Sequence, residues 1–290
     1  MADANDITHT GQADAGTDGG GDARRARLAT GEELAALLHS DASEVLLALL
    51  ENSALQEPEI CVLLRRNSLP ATVVKEICKR REWVKSYPVK KCLAFHPHTP
   101  RLVGLRLLRE LYLMDLVQMA LLPGVSAELK RNAEGQLAAR LPQLPLGQKI
   151  TLGRRGPARV AGLLLGEGHP LVVTVALDNA DLTASQILKV LAREAVPESV
   201  VQAIAQHRKW SCDYNVRLAL VRNPGSTLST VLGYLPTITV ADLSALAEPG
   251  IVPERLRKYL EAEVQRRIRL GEKSAGEEKS FEDRHQAKDT

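Results

Sequence analysis

The chain has 290 residues, of which 44% are hydrophobic and 3% aromatic, and it carries a formal net charge of +3 at pH 7. A chain of this length and apolar content can bury a substantial core, which argues against a wholly disordered protein. Aromatic residues are scarce beside abundant Leu, Ala and Val, which argues against a β-sandwich and predicts a mainly helical, all-α fold.

The charge is distributed unevenly along the chain. Residues 1–23 carry five acidic residues and no basic one, and residues 271–290 carry a net charge of −2, which leaves about +10 on residues 24–270. We expect this basic body to favour an acidic partner. Both ends have almost no large apolar residues, so we predict a disordered acidic N-terminal tail at 1–27 and a disordered charged C-terminal tail at 271–290.

Between the tails the apolar residues follow the helical period, recurring at i, i+3, i+4 and i+7, and turns with Pro, Asn, Ser or Thr separate the periodic stretches. In chain order, the predicted helices are 31–39, 43–51, 57–66, 71–81, 87–95, 100–109, 113–121, 126–141, 146–154, 157–165, 170–178, 184–193, 198–207, 214–222, 227–234, 240–247 and 253–269. Helices this short are marginal alone in water and must be stabilised by stacking on their neighbours, which predicts an α-solenoid.

The chain also aligns with itself, without a gap, after a shift of 127 residues. The only two tryptophans, Trp83 and Trp210, coincide, and so do Tyr87 and Tyr214. Roughly a quarter of positions 44–141 are identical to their counterparts, as in an internal duplication. We therefore predict two tandem copies of a unit of about 127 residues, a first helical-repeat unit at 28–141 and a second, continuous with it, at 142–270.

The turns "NSLPATVV" (67–74) and "NPGSTLSTVL" (223–232) resemble those of the HEAT and armadillo-like superfamily of helical repeats, including the leucine-rich-repeat-variant type. The resemblance covers roughly residues 28–270. It implies a curved, right-handed stack of helices whose concave surface generally binds protein partners and sometimes nucleic acid. The N-terminal iron–sulfur cluster of some leucine-rich-repeat-variant proteins is not implied, because no cysteine precedes Cys61.

The motif R-x-W-x-x-x-Y-x-V-[K/R] occurs twice, at Arg81–Lys90 and at Arg208–Arg217. In one interpretation the Trp and Tyr fill the corner between two helices, with Ser86 and Asp213 as N-caps of the second helix. In the other, the motif forms a pair of aromatic and basic patches that stack on a nucleic-acid base or hold an acidic peptide.

Basic residues are concentrated in two zones. Residues 75–91 hold seven bases and two acids, and residues 142–166 hold no acid. These charges form either solvated faces that keep the protein soluble or a stripe suited to phosphate or to an acidic protein segment. The candidate binding residues from the motif and the zones are Lys79, Arg80, Arg81, Trp83, Lys85, Tyr87, Lys90, Lys149, Arg154, Arg155, Arg208, Trp210, Tyr214 and Arg217.

Metal-ligand residue types occur in two places. Cys61, Cys78 and Cys92 lie on three successive predicted helices, but their counterparts in the second copy are apolar, so we interpret them as small core residues rather than as ligands of zinc or an iron–sulfur cluster. His96 and His98 lie in "FHPHTP", whose counterpart lacks histidine, which favours a helix–helix turn. We expect no cofactor and no bound metal.

No catalytic or nucleotide-binding motif is found, no apolar segment of a secretory signal lies in residues 1–30, and the apolar stretches fall short of the roughly 18 residues of a spanning helix. We therefore expect a non-catalytic, cytoplasmic scaffold or adaptor that binds a protein partner with an acidic segment through its concave surface. The alternative is a nucleic-acid-binding HEAT-like protein, for example one of the DNA glycosylase kind. A cysteine-ligated metal protein is a third hypothesis.

Overall fold

A computed structural model of the protein describes the backbone of residues 19–286 and the side chains of residues 21–270. Helices account for 70% of the chain, and the described residues contain no strand. The prediction of an all-α chain is therefore confirmed.

The helices are short, apart from the last. They are α1 Gly19–Ala26, α2 Gly31–Leu37, α3 Ser43–Leu50, α4 Glu57–Leu64, α5 Ala71–Lys79, α6 Arg81–Lys85, α7 Tyr87–Phe95, α8 Arg101–Leu108, α9 Leu113–Leu121, α10 Ala127–Arg140, α11 Leu146–Arg155, α12 Ala158–Leu165, α13 Pro170–Leu177, α14 Ala184–Leu191, α15 Glu198–Gln206, α16 Tyr214–Arg222, α17 Leu228–Tyr234, α18 Val240–Leu246 and α19 Glu254–Gln286. Short 3-10 segments lie at Leu141–Gln143, Trp210–Cys212 and Leu235–Thr237.

All the helices expected from the hydrophobic period are present, and their ends lie within two residues of the predicted ones, except at the end of α19. The period does not predict α1 and α6. Helix α1 begins with three glycines, which disfavour a helix locally, so its stability comes from packing against α3. Helix α6 has only five residues, too few to show a period.

The predicted tails differ from the structure where it describes them. Helix α1 occupies Gly19–Ala26, inside the predicted disordered tail 1–27, and Ala26 is fully buried. Helix α19 continues to Gln286, through most of the predicted tail 271–290, because this stretch lacks proline and is rich in Glu, Lys and Arg, which favour helix. Residues 1–18 and 287–290 lie outside the described residues.

The chain divides into two compact units: unit 1 ends at Gln136 and unit 2 begins at Leu137, a few residues before the predicted boundary at 141/142. In unit 1, α1 packs on α3 and α3 on α5, while α4 packs on α7 and α7 on α8. In unit 2, α11 packs on α13 and α13 on α15, while α12 packs on α14 and α14 on α16. In unit 2, therefore, each of these helices stacks on the next helix but one.

The helix bounds recur with the 127-residue spacing found in the sequence. Helices α3, α4, α5 and α7 of unit 1 have the same start and end as α13, α14, α15 and α16 of unit 2 once 127 is added to their residue numbers. Helices α8, α9 and α10 begin at the positions equivalent to the starts of α17, α18 and α19. The starts of these seven helix pairs therefore recur with the 127-residue spacing, whereas α6 is equivalent in position to the 3-10 segment Trp210–Cys212.

Each unit buries a leucine-, valine- and isoleucine-rich core between its stacked helices. In unit 1 the fully buried side chains include Leu46, Leu50, Ile60, Leu63 and Ile77. Each such side chain stabilises the fold by roughly 1.5–3 kcal/mol relative to an exposed one. Unit 2 has two core clusters, one around α13–α16 and one that includes the start of α19. The helices are therefore stabilised by stacking, as their short length requires.

Candidate functional site

Charged residues and a tryptophan gather at the same edge of each unit, where the helices α1, α3 and α5, or α11, α13 and α15, reach their C-terminal ends. We call this set the loop edge. In unit 1 the loop edge consists of Arg27, Glu51, Arg80, Arg81 and Trp83. In unit 2 it consists of the residues 127 positions later, Arg154, Asp178, His207, Arg208 and Trp210.

A buried asparagine ties the helix ends together behind each loop edge. Asn52 Nδ2 donates hydrogen bonds to the carbonyl oxygens of Ala26 and Ala29, at 2.9 and 2.8 Å. Asn179 Nδ2 donates to the two carbonyl oxygens 127 residues further along, at 2.8 and 2.9 Å. In unit 1 these bonds join the end of α1 to the loop after α3, and in unit 2 they join the end of α11 to the loop after α13. They therefore fix the spacing of the loops that carry the charged residues.

In unit 1, Glu51 is the C-cap of α3, where the helix dipole disfavours a negative charge. Arg27 offsets this, because its Nε lies 2.7 Å from Glu51 Oε2. This hydrogen bond and the charge of Arg27, with a smaller contribution from Arg80, lower the pKa of Glu51. The Arg80 guanidinium lies over the ring of Trp83, 4.8 Å from its centroid, and Trp83 is half-buried.

In unit 2, Asp178 is the C-cap of α13, and His207 Nε2 lies 3.0 Å from its Oδ1. The backbone N–H of Lys209 donates to His207 Nδ1 at 3.3 Å, so Nε2 is the nitrogen that donates to Asp178. Trp210 is 3% exposed, and its Nε1 donates to the carbonyl oxygen of Leu177 at 2.9 Å. Lys209 Nζ lies 4.2 Å from the centroid of the Trp210 ring.

Both loop edges hold arginines that pair with no described carboxylate, Arg80 and Arg81 in unit 1 and Arg154 and Arg208 in unit 2. Arg154 and Arg208 and the neighbouring Arg155 are exposed, and none of the three forms an ion pair with a described carboxylate. A cavity of about 450 Å³ is lined by residues 177–180 and 207–209, which include Arg208. Part of this charge stabilises the helix C-termini. The rest faces solvent and is available to an anionic partner.

The two tyrosines of the sequence motif form internal hydrogen bonds. Tyr87 OH donates to Asp115 and accepts from the Tyr112 N–H at 2.8 Å. Burial and the hydrogen bond to Asp115 raise the pKa of Tyr87 to about 12. Tyr214 OH donates to Asp242, the residue equivalent to Asp115. Both tyrosines therefore join two helices of the same unit, as the packing interpretation expects.

The N-caps of the motif differ between the two copies. Asp213 accepts a hydrogen bond from the Val216 N–H at 3.0 Å, so it caps α16 as predicted. Ser86 occupies the N-cap position of α7, but its hydroxyl donates to Glu57 Oε2 at 2.6 Å instead of capping the helix.

Four of the remaining candidate cations have intramolecular partners. Lys79, Lys90 and Lys149 form ion pairs with Glu76, Glu110 and Glu167, at 2.9, 2.6 and 2.7 Å. Arg217 Nη2 donates to the Cys212 carbonyl at 2.9 Å, and its Nε is buried without a hydrogen-bond partner. Lys85 is exposed. The structure therefore places Arg80, Arg81, Arg154, Arg208 and the two tryptophans at the loop edges and the other candidates elsewhere.

Unit 2 also carries a groove between α14 and α16, with a volume of about 510 Å³. We call it the α14–α16 groove. Its lining consists of Leu188, Leu191, Ala192, Arg193, Glu194, Asn215, Leu218, Ala219, Arg222, Asn223 and Pro224.

A cavity of about 630 Å³ in unit 1 lies beside the "FHPHTP" turn, α8 and the loop before α10. Three of its polar side chains are already bonded: Arg101 Nη2 lies 2.5 Å from Glu128 Oε1, and His96 Nε2 lies 3.1 Å from the Arg66 carbonyl. Burial lowers the pKa of His96. His98 Nδ1 lies 2.7 Å from the Leu69 carbonyl, so both histidines bond backbone as parts of a turn.

The cysteines are free thiols. Cys61, Cys78 and Cys92 are half-buried and Cys212 is exposed. Burial and the adjacent Cys92 thiol raise the pKa of Cys61 to about 11. In the described part of the chain, no three His, Cys, Asp or Glu side chains are arranged to hold a metal ion.

Comparison with known proteins gives no match to a protein-family model, a curated protein or a solved structure. Over residues 19–286, no helix combines the length and the apolar character needed to cross a bilayer.

The sequence analysis did not identify four loop-edge residues, Arg27, Glu51, Asp178 and His207, or the neighbouring Lys209 as candidate site residues. A usable signal was present, because acidic residues recur 127 positions apart at Glu51 and Asp178 and basic types recur at Arg27 and Arg154. The α14–α16 groove also had a signal, the i, i+3, i+4, i+7 stripe of Asn215, Leu218, Ala219 and Arg222. From the sequence alone, that stripe is interpreted as a buried face, because its exposure depends on where the neighbouring helices lie.

Proposed function

We propose that the protein is a helical-repeat protein of the α-solenoid type, built from two tandem copies of one unit of about 127 residues. Two observations support this: helix bounds that recur with that spacing, and equivalent hydrogen bonds made by Asn52 and Asn179 and by Tyr87 and Tyr214. The stacking of each helix on the next helix but one in unit 2 is the contact pattern of HEAT and armadillo-like repeats. The proposal includes the right-handed curvature that the resemblance to these repeats implies.

Its function, in this proposal, is that of a non-catalytic, cytoplasmic scaffold that binds an acidic segment of a protein partner. The observation that carries it is a set of exposed arginines at the unit 2 loop edge, Arg154 and Arg208 with the neighbouring Arg155, none of which forms an ion pair with a described carboxylate. Cations that no internal carboxylate neutralises attract an anionic partner and steer its approach. The four free thiols are compatible with a reducing compartment.

Fluorescence anisotropy with a short labelled peptide of Glu and Ser tests the proposal, with titrations at low and at physiological salt. We expect binding that weakens with salt and that falls about tenfold or more in the Arg154→Glu/Arg155→Glu/Arg208→Glu variant. The matched control, Lys189→Glu/Lys258→Glu/Arg269→Glu, reverses three exposed charges elsewhere in unit 2 and should bind nearly as well as the wild type. No binding of the peptide at any salt concentration would contradict the proposal.

A second candidate function, nucleic-acid binding, is favoured by one observation: Trp83 is only half-buried, with the Arg80 guanidinium over its ring. A base can stack on such a pair. Labelled single-stranded and duplex DNA titrated in the same assay distinguish the two functions. DNA binding that is lost in Trp83→Ala, with no peptide binding, would establish this candidate in place of the first.

A further inference from the structure

The α14–α16 groove of unit 2 is built from one stripe of each helix. Leu188, Leu191 and Ala192 are spaced i, i+3, i+4 on or just beyond α14, and α16 contributes Asn215, Leu218, Ala219 and Arg222 at i, i+3, i+4, i+7. Side chains at these spacings share one face of a helix. Because α14 packs directly on α16, the two faces form a continuous trough.

The floor of this groove is apolar and only partly covered. Leu188, Leu218 and Ala219 pack against the unit 2 core clusters, yet each remains half-buried. The equivalent of Leu218 in unit 1 is Lys91, whose Nζ lies 2.7 Å from Asp115 Oδ1. The second copy therefore has a leucine where the first has an ion-paired lysine, which leaves apolar surface for a ligand to cover.

Charge at the rim is the second difference between the copies. Arg193 is equivalent to Arg66, which in unit 1 lies 2.6 Å from Asp41 Oδ1. The residue at the Asp41 position in unit 2 is Gly168, so Arg193 lacks this carboxylate.

Arg222, at the end of α16, is also exposed, and neither it nor Arg193 forms an ion pair with a described carboxylate. Glu194 is the one acidic residue among the lining residues, against the two arginines, so the lining carries a net positive charge. The groove is therefore apolar along its floor and cationic at the end where Arg193 and Arg222 lie.

The length of the groove limits what it can hold. From Asn215 to Arg222 the stripe on α16 covers two turns, or about 10 Å along the axis. Asn223 closes one end, where its buried Nδ2 donates to the Leu191 carbonyl at 2.9 Å. A span of this size matches two turns of a helix or about three residues of an extended chain.

We propose that the α14–α16 groove is the docking site for a short segment of a partner protein that carries large apolar side chains beside one or two carboxylates. The apolar side chains cover Leu188, Leu218 and Ala219, and the carboxylates pair with Arg193 and Arg222. The inference rests on the proposed function, the binding of an acidic protein segment, and adds a second contact site for such a segment, partly apolar and separate from the loop-edge arginines, between these two helices of unit 2.

The test uses the full chain and a labelled peptide of alternating Leu and Glu. One comparison peptide carries Ser in place of each Leu, and a second carries Lys in place of each Glu. We expect the Leu-Glu peptide to bind more tightly than either, to bind about tenfold more weakly to Arg193→Glu/Arg222→Glu, and to lose binding to Ala192→Trp, which fills the groove from an exposed position. Lys189→Glu reverses an exposed charge on α14 outside the groove lining and should bind like the wild type.

Thermal melts of the variants identify any loss of folding. Arg193→Glu/Arg222→Glu changes the charge of the groove and Ala192→Trp changes its volume, so if one variant fails to fold, the other still tests the inference. Leu-Glu binding that survives both groove variants but is lost in Arg154→Glu/Arg155→Glu/Arg208→Glu would overturn the groove inference and leave the proposed function standing. Failure of every acidic peptide to bind the wild type, even at low salt, would overturn both.

Discussion

Asn52 Nδ2 donates a 2.9 Å hydrogen bond to the carbonyl oxygen of Ala26, 26 residues earlier in the chain, and both residues are buried. Asn52 also bonds Ala29, and its own carbonyl oxygen accepts from the Ala54 N–H at 2.8 Å. One amide thus satisfies three backbone groups from two loops. Asn179 makes the equivalent hydrogen bonds in unit 2, so the same arrangement sets the spacing of the loops at both loop edges.

Removing either amide should destabilise the protein. We expect Asn52→Ala and Asn179→Ala each to lower the free energy of unfolding by about 1–3 kcal/mol, because buried carbonyl groups lose their hydrogen-bond donors. Urea denaturation followed by circular dichroism measures the effect. Asn132→Ala is the control, since Asn132 is exposed and bonds only within its own helix, and it should change stability by about 0.5 kcal/mol or less. Equal effects at all three positions would refute the assigned role.

The two tryptophans should differ in fluorescence, because Trp210 is 3% exposed and Trp83 is half-buried. The Trp83→Phe variant, which retains Trp210, should emit at shorter wavelength and be quenched several-fold less by acrylamide than the Trp210→Phe variant. Trp210→Phe should also be the less stable of the two by about 1 kcal/mol, because it loses the hydrogen bond to the Leu177 carbonyl. Identical quenching of the two variants would contradict the placement of Trp210.

Tyr87 should ionise late in an alkaline titration. Its pKa is raised from 10.0 to about 12 by burial and by the hydrogen bond to Asp115. Since the folded-state pKa lies above the unfolded one, the stability that the neutral phenol provides is fully present below pH 10 and is lost as the pH rises towards 12.

Ultraviolet difference absorbance of tyrosinate, compared with Tyr87→Phe, isolates this titration. Asp115→Asn should bring the pKa of Tyr87 closer to 10, because the charged acceptor is removed. A Tyr87 titration at pH 10 in the wild type would show that the hydrogen bond does not form.

Glu263 should contribute to stability at neutral but not at acidic pH. The hydrogen bonds from Arg266 and Arg267 and their charges lower its pKa from 4.5 to about 2. Because the folded-state pKa is the lower one, this stabilisation is present above pH 4.5 and is lost as the pH falls towards 2.

Urea denaturation of wild type and Glu263→Gln between pH 2 and 6 checks this. The variant should be less stable by on the order of 1 kcal/mol at pH 6, and the difference should shrink at pH 2. Glu261→Gln, which removes an exposed pair with Arg257, is the matched control and should show a smaller change. A difference that persists unchanged at pH 2 would argue against a role for the Glu263 charge.

Arg267 connects this ion pair to the fold. Its Nη1 and Nη2 donate to the carbonyl oxygens of Ile238 and Leu235, at 2.7 and 2.5 Å. We therefore expect Arg267→Ala to destabilise the protein more than Arg266→Ala, by about 1–2 kcal/mol, because two backbone carbonyls lose a charged donor. The same urea experiment measures it, and an equal effect of the two variants would be evidence against this bond.

Much of the helical structure followed from local sequence. The ends of α7, α9 and α16 lie where the hydrophobic period and the turn residues predict, because a helix begins and ends according to its own residues and their immediate neighbours. Asp213 caps α16 for the same local reason. The repeat of 127 residues was also visible in the sequence alone, and the helix bounds follow it.

What the sequence could not settle were contacts between residues far apart in the chain. Trp83 and Trp210 occupy the same place in the same motif, yet Trp83 lies half-buried on α6, whereas Trp210 is buried in a 3-10 segment and bonds the Leu177 carbonyl. Helix α1 is formed by glycine-rich sequence with little propensity of its own, and packing against α3 stabilises it.

The sequence by itself determined the all-α class, the order and ends of most helices, and the recurrence of residue types 127 positions apart. These features depend on hydrophobic periodicity, helix caps and residue identities along the chain. Only the tertiary structure decided which charges are neutralised: Arg66 pairs with Asp41, whereas Arg193 forms no ion pair with a carboxylate in the part of the chain that the structure describes. An ion pair requires side-chain atoms from different helices to come within a few ångströms. That distance is set by how the helices stack and cannot be read from spacing along the chain.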